Sequence, residues 1–251
     1  MQPGEYETLF RVEAAHWWYL ALRRVLRWHL ERFQPGWREA AILDAGCGTG
    51  GNLAHLPGPG ARVGLDRADA ALAHCRRRGL RALVRGDVSA LPFAEGSFEV
   101  VLSASVIYHQ WVADPAVALG ECHRVLRPGG LLLLDVPASD ALWSAHDHAV
   151  MTARRFRARD LRRLVEASGF EVLRLTHWNT LLFPAVWAAR RLGLSPEGRD
   201  FDPVAPPGGP RNALLDAAMR IEAAGWRRMA LPFGVSIHCA ARRHGRYGLE
   251  G

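Results

Sequence analysis

The stretch Ala41-Ile42-Leu43-Asp44-Ala45-Gly46-Cys47-Gly48-Thr49-Gly50-Gly51-Asn52 decides how this 251-residue chain is read. An apolar run ends in an aspartate, and four of the six residues 46–51 are then glycine. The run has the length of a buried strand closed by a turn signal. Glycine carries no Cβ, so such a loop bends sharply and lets a ligand approach the backbone. A strand, a glycine loop and a helix form the front half of a nucleotide-type cofactor site.

Which cofactor it takes is a question of charge. Gly46, Gly48 and Gly51 satisfy the dinucleotide pattern GxGxxG, which alone is a weak signal. A pyrophosphate seeks an uncompensated helix N-terminus, yet Asp44 places a carboxylate two residues before the first glycine. In a partly dry pocket that repulsion is on the order of a few kcal/mol, and a cationic ligand reverses its sign. S-adenosylmethionine carries a sulfonium and an α-amino group and no phosphate. Asp66 follows Asp44 by 22 residues at the end of the next strand, where an acid accepts from ribose hydroxyls. Asp87 closes a third strand, placed to accept from an adenine amino group. Any one of these aspartates reads more simply as a cap; three at successive strand ends favour a cofactor.

Outward from this stretch, helix and strand alternate. Glu5 to Phe33 reads as one helix closed by Pro35-Gly36. Strands follow at Ala40–Asp44, Arg62–Asp66, Arg81–Asp87, Phe98–Ala104, Leu131–Val136, Phe170–Thr176 and Val235–Ala241. Helices are expected at Gly51–His55, Ala68–Arg78, Asp114–Leu126 (aspartate as cap, Pro115 first), Ala158–Ser168, Leu181–Leu192 and Asn212–Met229. This rhythm specifies an α/β fold with a doubly wound, mostly parallel sheet and helices on both faces. We divide the single domain into a leading helical lid (1–36), a cofactor-binding core (37–176), a helical insertion (177–232) with a mobile glycine- and proline-rich loop at 193–210, and a last strand with its tail (233–251).

The chain resembles the class I S-adenosylmethionine-dependent methyltransferases, most nearly the bacterial small-molecule branch related to ubiquinone-biosynthesis C-methyltransferases. Asp44-Ala45-Gly46-Cys47-Gly48-Thr49-Gly50 is similar to the family's first motif and Gly64-Leu65-Asp66 to its second. Gly86-Asp87-Val88-Ser89-Ala90-Leu91-Pro92-Phe93 is similar to the adenine-binding segment, and Glu121-Cys122-His123-Arg124-Val125-Leu126-Arg127-Pro128-Gly129-Gly130 to the signature before strand five. Glu99 stands where the family usually has aspartate, at a strand start away from the cofactor. The resemblance implies a Rossmann-like sheet of seven strands with the last antiparallel, and S-adenosylmethionine as cofactor with S-adenosylhomocysteine as product. It implies cofactor contacts from Asp44, Gly46, Cys47, Gly48, Gly50 and Asn52, ribose and adenine contacts from Asp66, Arg67, Asp87 and Val88, and a methyl-end wall from Ser103 or Ala104.

Acceptor residues are sought at the carboxyl ends of the strands. Tyr108-His109 follows the fourth strand, and His109 is a candidate base or rim residue. His146 and His148, in Trp143-Ser144-Ala145-His146-Asp147-His148, are candidates for catalysis or substrate binding; adjacent residues rarely converge on one ion, so no metal is expected. Trp17, Trp18 and Tyr19 read first as core, and as pocket closure if the leading helix folds over the cleft. Arg155 offers a fork to an acidic substrate, against plain surface charge. The Leu181–Leu192 helix reads as packed on the core sheet, with a membrane interface or a greasy substrate as the other reading.

The formal charge of +7 rests on arginine alone, for the chain has no lysine. Scattered arginine pairs fit solvated helix faces better than a nucleic-acid stripe. A nucleic-acid or protein methyltransferase is the second reading, yet Ser103-Ala104-Ser105-Val106 lacks the Asn/Asp-Pro-Pro-aromatic string such enzymes often carry there; an NAD-dependent oxidoreductase is the third. No apolar run approaches the ~20 residues of a membrane span, and the acidic N-terminus is no secretory signal. Four scattered cysteines fit a reducing cytoplasm. The expected partner is a small-molecule methyl acceptor, with peripheral membrane contact left open and the protein a monomer or homodimer.

Overall fold

The computed structural model describes residues 3–144, 147–148, 150–192 and 209–244. Helices α1 (Pro3–Val12) and α2 (Trp17–Phe33) lead into strands β1 (Ile42–Ala45), β2 (Arg62–Asp66), β3 (Leu83–Arg85), β4 (Phe98–Ala104), β5 (Leu126–Pro137), β6 (Phe170–Trp178) and β7 (Ser236–Arg243). Among them lie α3 (Gly51–Ala54), α4 (Asp69–Arg77), α5 (Pro115–Val125), α6 (Ala158–Ala167), α7 (Phe183–Arg191) and α8 (Gly209–Trp226). The strands form one seven-stranded sheet in the order β3-β2-β1-β4-β5-β7-β6. Only β7 runs antiparallel to its neighbours, slotting between β5 and β6. Strand order reverses between β1 and β4, the switch point at which open α/β sheets bind ligands.

Central strands read as unbroken apolar runs because both faces are covered. Leu43, Val101, Leu132 and Leu134 pack with Leu119 of α5 and Leu161 of α6. Their alternates Ile42, Val100, Leu102, Leu131 and Leu133 pack with Leu26 of α2, Leu72 of α4 and Met219 of α8. Asp114 caps α5 through Oδ1, which accepts from the Ala116 amide at 2.8 Å. Glu99 accepts from the Ala41 amide at 2.7 Å, so the departure at this position serves the entry into β1.

Several boundaries differ from expectation. The leading helix is two helices: Glu13 turns inward and is buried, and His16 restarts the helix as N-cap, accepting from the Trp18 amide at 3.3 Å. β3 is three residues rather than seven, and β5 starts at Leu126, bridging Pro128-Gly129-Gly130 with a register shift against β4. The helix expected to pack on the sheet packs mainly on a 3-10 turn at Asp140–Leu142, because its Trp187 and the flanking Leu181 and Leu192 are exposed and Val186 alone of its apolar side chains is buried. Most of the loop read as mobile, 193–208, lies outside the described residues, and α8 begins at Gly209.

Candidate active site

A cavity of about 300 Å³ lies over the carboxyl ends of the strands, walled at one end by the glycine loop and at the other by residues from β4, β5 and β7. The glycine loop takes its shape from left-handed backbone at Gly46 (φ 94°), Gly48 (φ 54°) and Gly50 (φ 81°). A Cβ on Gly46 would overlap the Val106 side chain, so this position tolerates no other residue. Asp66 fastens the loop from below: Oδ2 accepts from the Gly48 amide at 2.9 Å and Oδ1 from the Ala68 amide at 2.9 Å. Burial, as the larger influence, raises its pKa against those two bonds.

Asp44 is 1% exposed, and neither carboxylate oxygen has a hydrogen-bond partner. Burial, followed by the nearby charges of Asp66 and Glu13, pushes its pKa up to about 7. It sits behind the cavity wall rather than in it. Glu13, which sequence reading missed, is in the wall; it accepts from Thr49 Oγ1 and forms an ion pair with Arg78 at 2.6 Å. Its place in a helical run gave no signal of this role. Three carboxylates thus surround one end of the cavity, and Asp44 has nothing to neutralise it. A cation completes such a cluster, and a pyrophosphate does not.

Cys47, Asn52, Arg67, Asp87 and Val88 also line the cavity. Asp87 spends one oxygen on the Ser89 amide at 2.8 Å, so the capping reading holds beside the ligand-facing one. The following segment is clamped from α5: Glu121 accepts from the Leu91 amide at 2.7 Å, and Arg124 donates to the carbonyls of Leu91 at 2.8 Å and Phe93 at 2.7 Å. The signature before strand five is therefore a brace for the 87–93 segment. Besides Asp44, two expected cofactor residues are elsewhere. Gly50 is packed against Leu80 and Cys75 behind the loop, and Ser103 is buried in β4 opposite Leu134, while the expected Ala104 is in the wall, with Ser105 beside it.

At the other end Trp18, Tyr19, Tyr108 and His109 line the cavity. Trp17 does not: one residue is a 100° turn of the helix, and Trp17 points into the core with 2% exposure. His109 stacks on Trp111 at 4.0 Å, its Nδ1 has no partner, and burial lowers its pKa to about 4. It is neutral at pH 7 and a poor proton acceptor. His148 is exposed, accepting from Trp143 Nε1 at 3.2 Å outside the cavity wall. His146 lies outside the described residues. Arg155 is in the wall, but its fork is filled by Asp147, with Nε to Oδ1 at 3.0 Å and Nη2 to Oδ2 at 2.9 Å. Its remaining nitrogen donates to the Ala138 carbonyl at 2.9 Å, so this buried pair shapes the wall.

Asp135, at the end of β5, is the site residue that sequence reading passed over. It is in the wall at 1% exposure and accepts from Trp178 Nε1 at 2.7 Å. His238 Nδ1 stands 3.9 Å away, fully buried and with a pKa lowered by burial to about 3. Burial pushes Asp135 up to about 8. The signal was present: four leucines end in an acid, as the first apolar run ends in Asp44. Among the described residues no group of three His, Cys, Asp or Glu is placed to hold a metal ion.

Residues 43–134 match the family model of the methyltransferase domain. A Mycolicibacterium smegmatis protein named as an S-adenosylmethionine-dependent methyltransferase is 38% identical over 135 residues, 52% of each chain. The malonyl-[acyl-carrier protein] O-methyltransferase of Erwinia pyrifoliae is 33% identical over 168 residues, 64% of this chain and 63% of that one. The alignments thus span about half to under two-thirds of these relatives. Among solved structures, a Haloferax volcanii complex of the Trm112 methyltransferase activator with a methyltransferase matches at TM-score 0.63 and 20% identity, covering 98% of this chain and 96% of that one, a likeness of fold. None of these relatives singles out the ubiquinone-type branch. By its sheet order, its glycine loop and these likenesses, the chain resembles the class I S-adenosylmethionine-dependent methyltransferases, and residues 43–134 carry the match to the methyltransferase domain.

Proposed function

We propose that the protein transfers a methyl group from S-adenosylmethionine to a small-molecule acceptor bound at the β5–β7 end of the cavity. The observation that carries the reading is the unpartnered, buried carboxylate of Asp44, with Asp66 and Glu13 beside it: a site short of one positive charge. When bound, the cofactor supplies an electrophilic methyl group. Gly46, Cys47, Gly48 and Asn52 cradle it, Asp66 takes the ribose with the lone pairs its two backbone bonds leave, and Asp87 and Val88 take the adenine. Tyr6 and Leu9 of α1 reach the cavity wall, so α1 serves as cover over the cofactor end.

At the acceptor end the protein's task is alignment of reacting atoms about 3 Å apart and removal of a proton. Asp135 is the group for the second task in place of His109. In its ionised form, which its pKa of about 8 leaves as the minor one at pH 7, Asp135 takes the acceptor's proton as the new bond forms, and Trp178 fixes its orientation. Trp18 and Tyr19 exclude water. A cavity of about 300 Å³ that also has to admit the cofactor leaves room for a small molecule or one arm of a larger one, which disfavours a folded nucleic acid.

Titration calorimetry with S-adenosylmethionine, S-adenosylhomocysteine and NAD tests the reading. Both adenosyl ligands are expected to bind and NAD is not; binding of NAD alone overturns it.

A further inference from the structure

The outward face of α8 is apolar, and the proposed chemistry makes no use of it. Its inward face buries Asp216, Met219, Glu222, Ala223 and Trp226. Opposite these, Leu214 and Ile221 are each 70% exposed, and exposed Ala217 and Ala224 continue the stripe at helical spacing. An apolar stripe exposed on a helix whose other face is already packed belongs where it too is covered. The two acidic residues of α8 are turned inward. Asp216 pairs with Arg24 and Arg220, and Glu222 accepts from the amides of Asn179, Thr180 and Leu181. Every exposed charge on the helix and directly after it is an arginine: Arg211, Arg220, Arg227 and Arg228. The Glu222 bonds also bring Leu181, 52% exposed, beside the helix, and Thr180 bonds to the carbonyl of Phe233, which is 46% exposed.

We propose that this face docks on a lipid bilayer with anionic headgroups, the Leu214–Ile221 stripe entering the headgroup–acyl boundary and the arginines meeting lipid phosphates. Charge selects this occupant over a second copy. Two such faces brought together would set four arginines against their own equivalents, with no exposed acid on either helix to separate them. The proposal is independent of the methyl-transfer reading.

Co-sedimentation of the full chain with phosphatidylcholine vesicles, with and without phosphatidylglycerol, tests it. Binding is expected only with phosphatidylglycerol, weakening as salt is raised. Ile221→Asp should reduce vesicle binding by about tenfold or more while S-adenosylmethionine affinity and melting temperature stay unchanged. Should that variant unfold, Arg227→Ser with Arg228→Ser removes charge at two exposed positions and should likewise reduce binding. Sedimentation with neither vesicle, equal binding by a folded Ile221→Asp protein, a lipid-free dimer abolished by that change, or capture of an acidic carrier protein without vesicle binding would each overturn the proposal. Failure of cofactor binding with intact vesicle binding would instead sink the methyl-transfer reading alone.

Discussion

The two ends of one cavity are built differently. The cofactor end comes largely from residues 44–88, where each strand delivers an acid or a glycine at its carboxyl end. The acceptor end draws Tyr19 from α2, Tyr108 after β4, Asp135 from β5, Arg155 before α6 and Ser236 from β7. Local motifs specify the first, and only the folded sheet assembles the second. On the proposed reading, the glycine-loop end would hold a cofactor by backbone and fixed charge, and the other end would meet the acceptor with side chains.

If the ends are separable, substitutions should divide by readout. The largest effect is expected from Asp147→Ala, which leaves Arg155 buried without its partner. A loss of about 3–5 kcal/mol in denaturant unfolding follows from an unpaired buried charge, with cofactor affinity of the folded protein retained. Asp135→Asn should lower methyl transfer by about 10²–10⁴-fold, assayed as labelled methyl entering the small-molecule fraction of a lysate, with S-adenosylmethionine affinity unchanged. A matching fall in cofactor affinity would break the separation. Asp44→Asn should do the reverse, weakening S-adenosylmethionine binding on the order of 100-fold, since opposite charges in a partly dry site are worth a few kcal/mol.

The smallest expected effect is the pH dependence of that binding. With its pKa raised to about 7, Asp44 is half protonated at neutral pH in the ligand-free protein. A bound cation must expel that proton, so affinity should fall toward tenfold per unit as pH drops below about 7, read by calorimetry in buffers of different ionisation enthalpy. For the ligand-free fold the sign is opposite. A carboxyl whose pKa is raised by folding contributes most at low pH, and that contribution is lost as pH rises through its folded value. Asp44→Asn should therefore raise the melting temperature at pH 8. A lowered melting temperature together with lost binding would recast Asp44 as structural.

Alternation of strand and helix, the caps at Asp114 and Pro115, and the cofactor acids were legible because each depends on residues close in sequence. Harder positions share a physical cause. Periodicity assigns Trp17 and Trp18 to one helix but not to its faces, and only packing sends Trp17 into the core and Trp18 to the cavity. Arg155 reads as an open fork until the fold supplies Asp147, whose own neighbours in the sequence, His146 and His148, drew attention to metal or catalysis instead.

By itself the sequence carried the charge pattern at the glycine-loop end. The run ending in Asp44, the glycines after it and the acids at Asp66 and Asp87 carry a charge pattern that no long-range contact is needed to read. Tertiary structure decided how that charge is set and where the second chemistry sits. Burial leaves both carboxylate oxygens of Asp44 without a hydrogen-bond partner. The insertion of β7 between β5 and β6 brings His238 to 3.9 Å from Asp135 while Trp178 bonds it from β6, a buried carboxyl set among residues more than 40 positions apart.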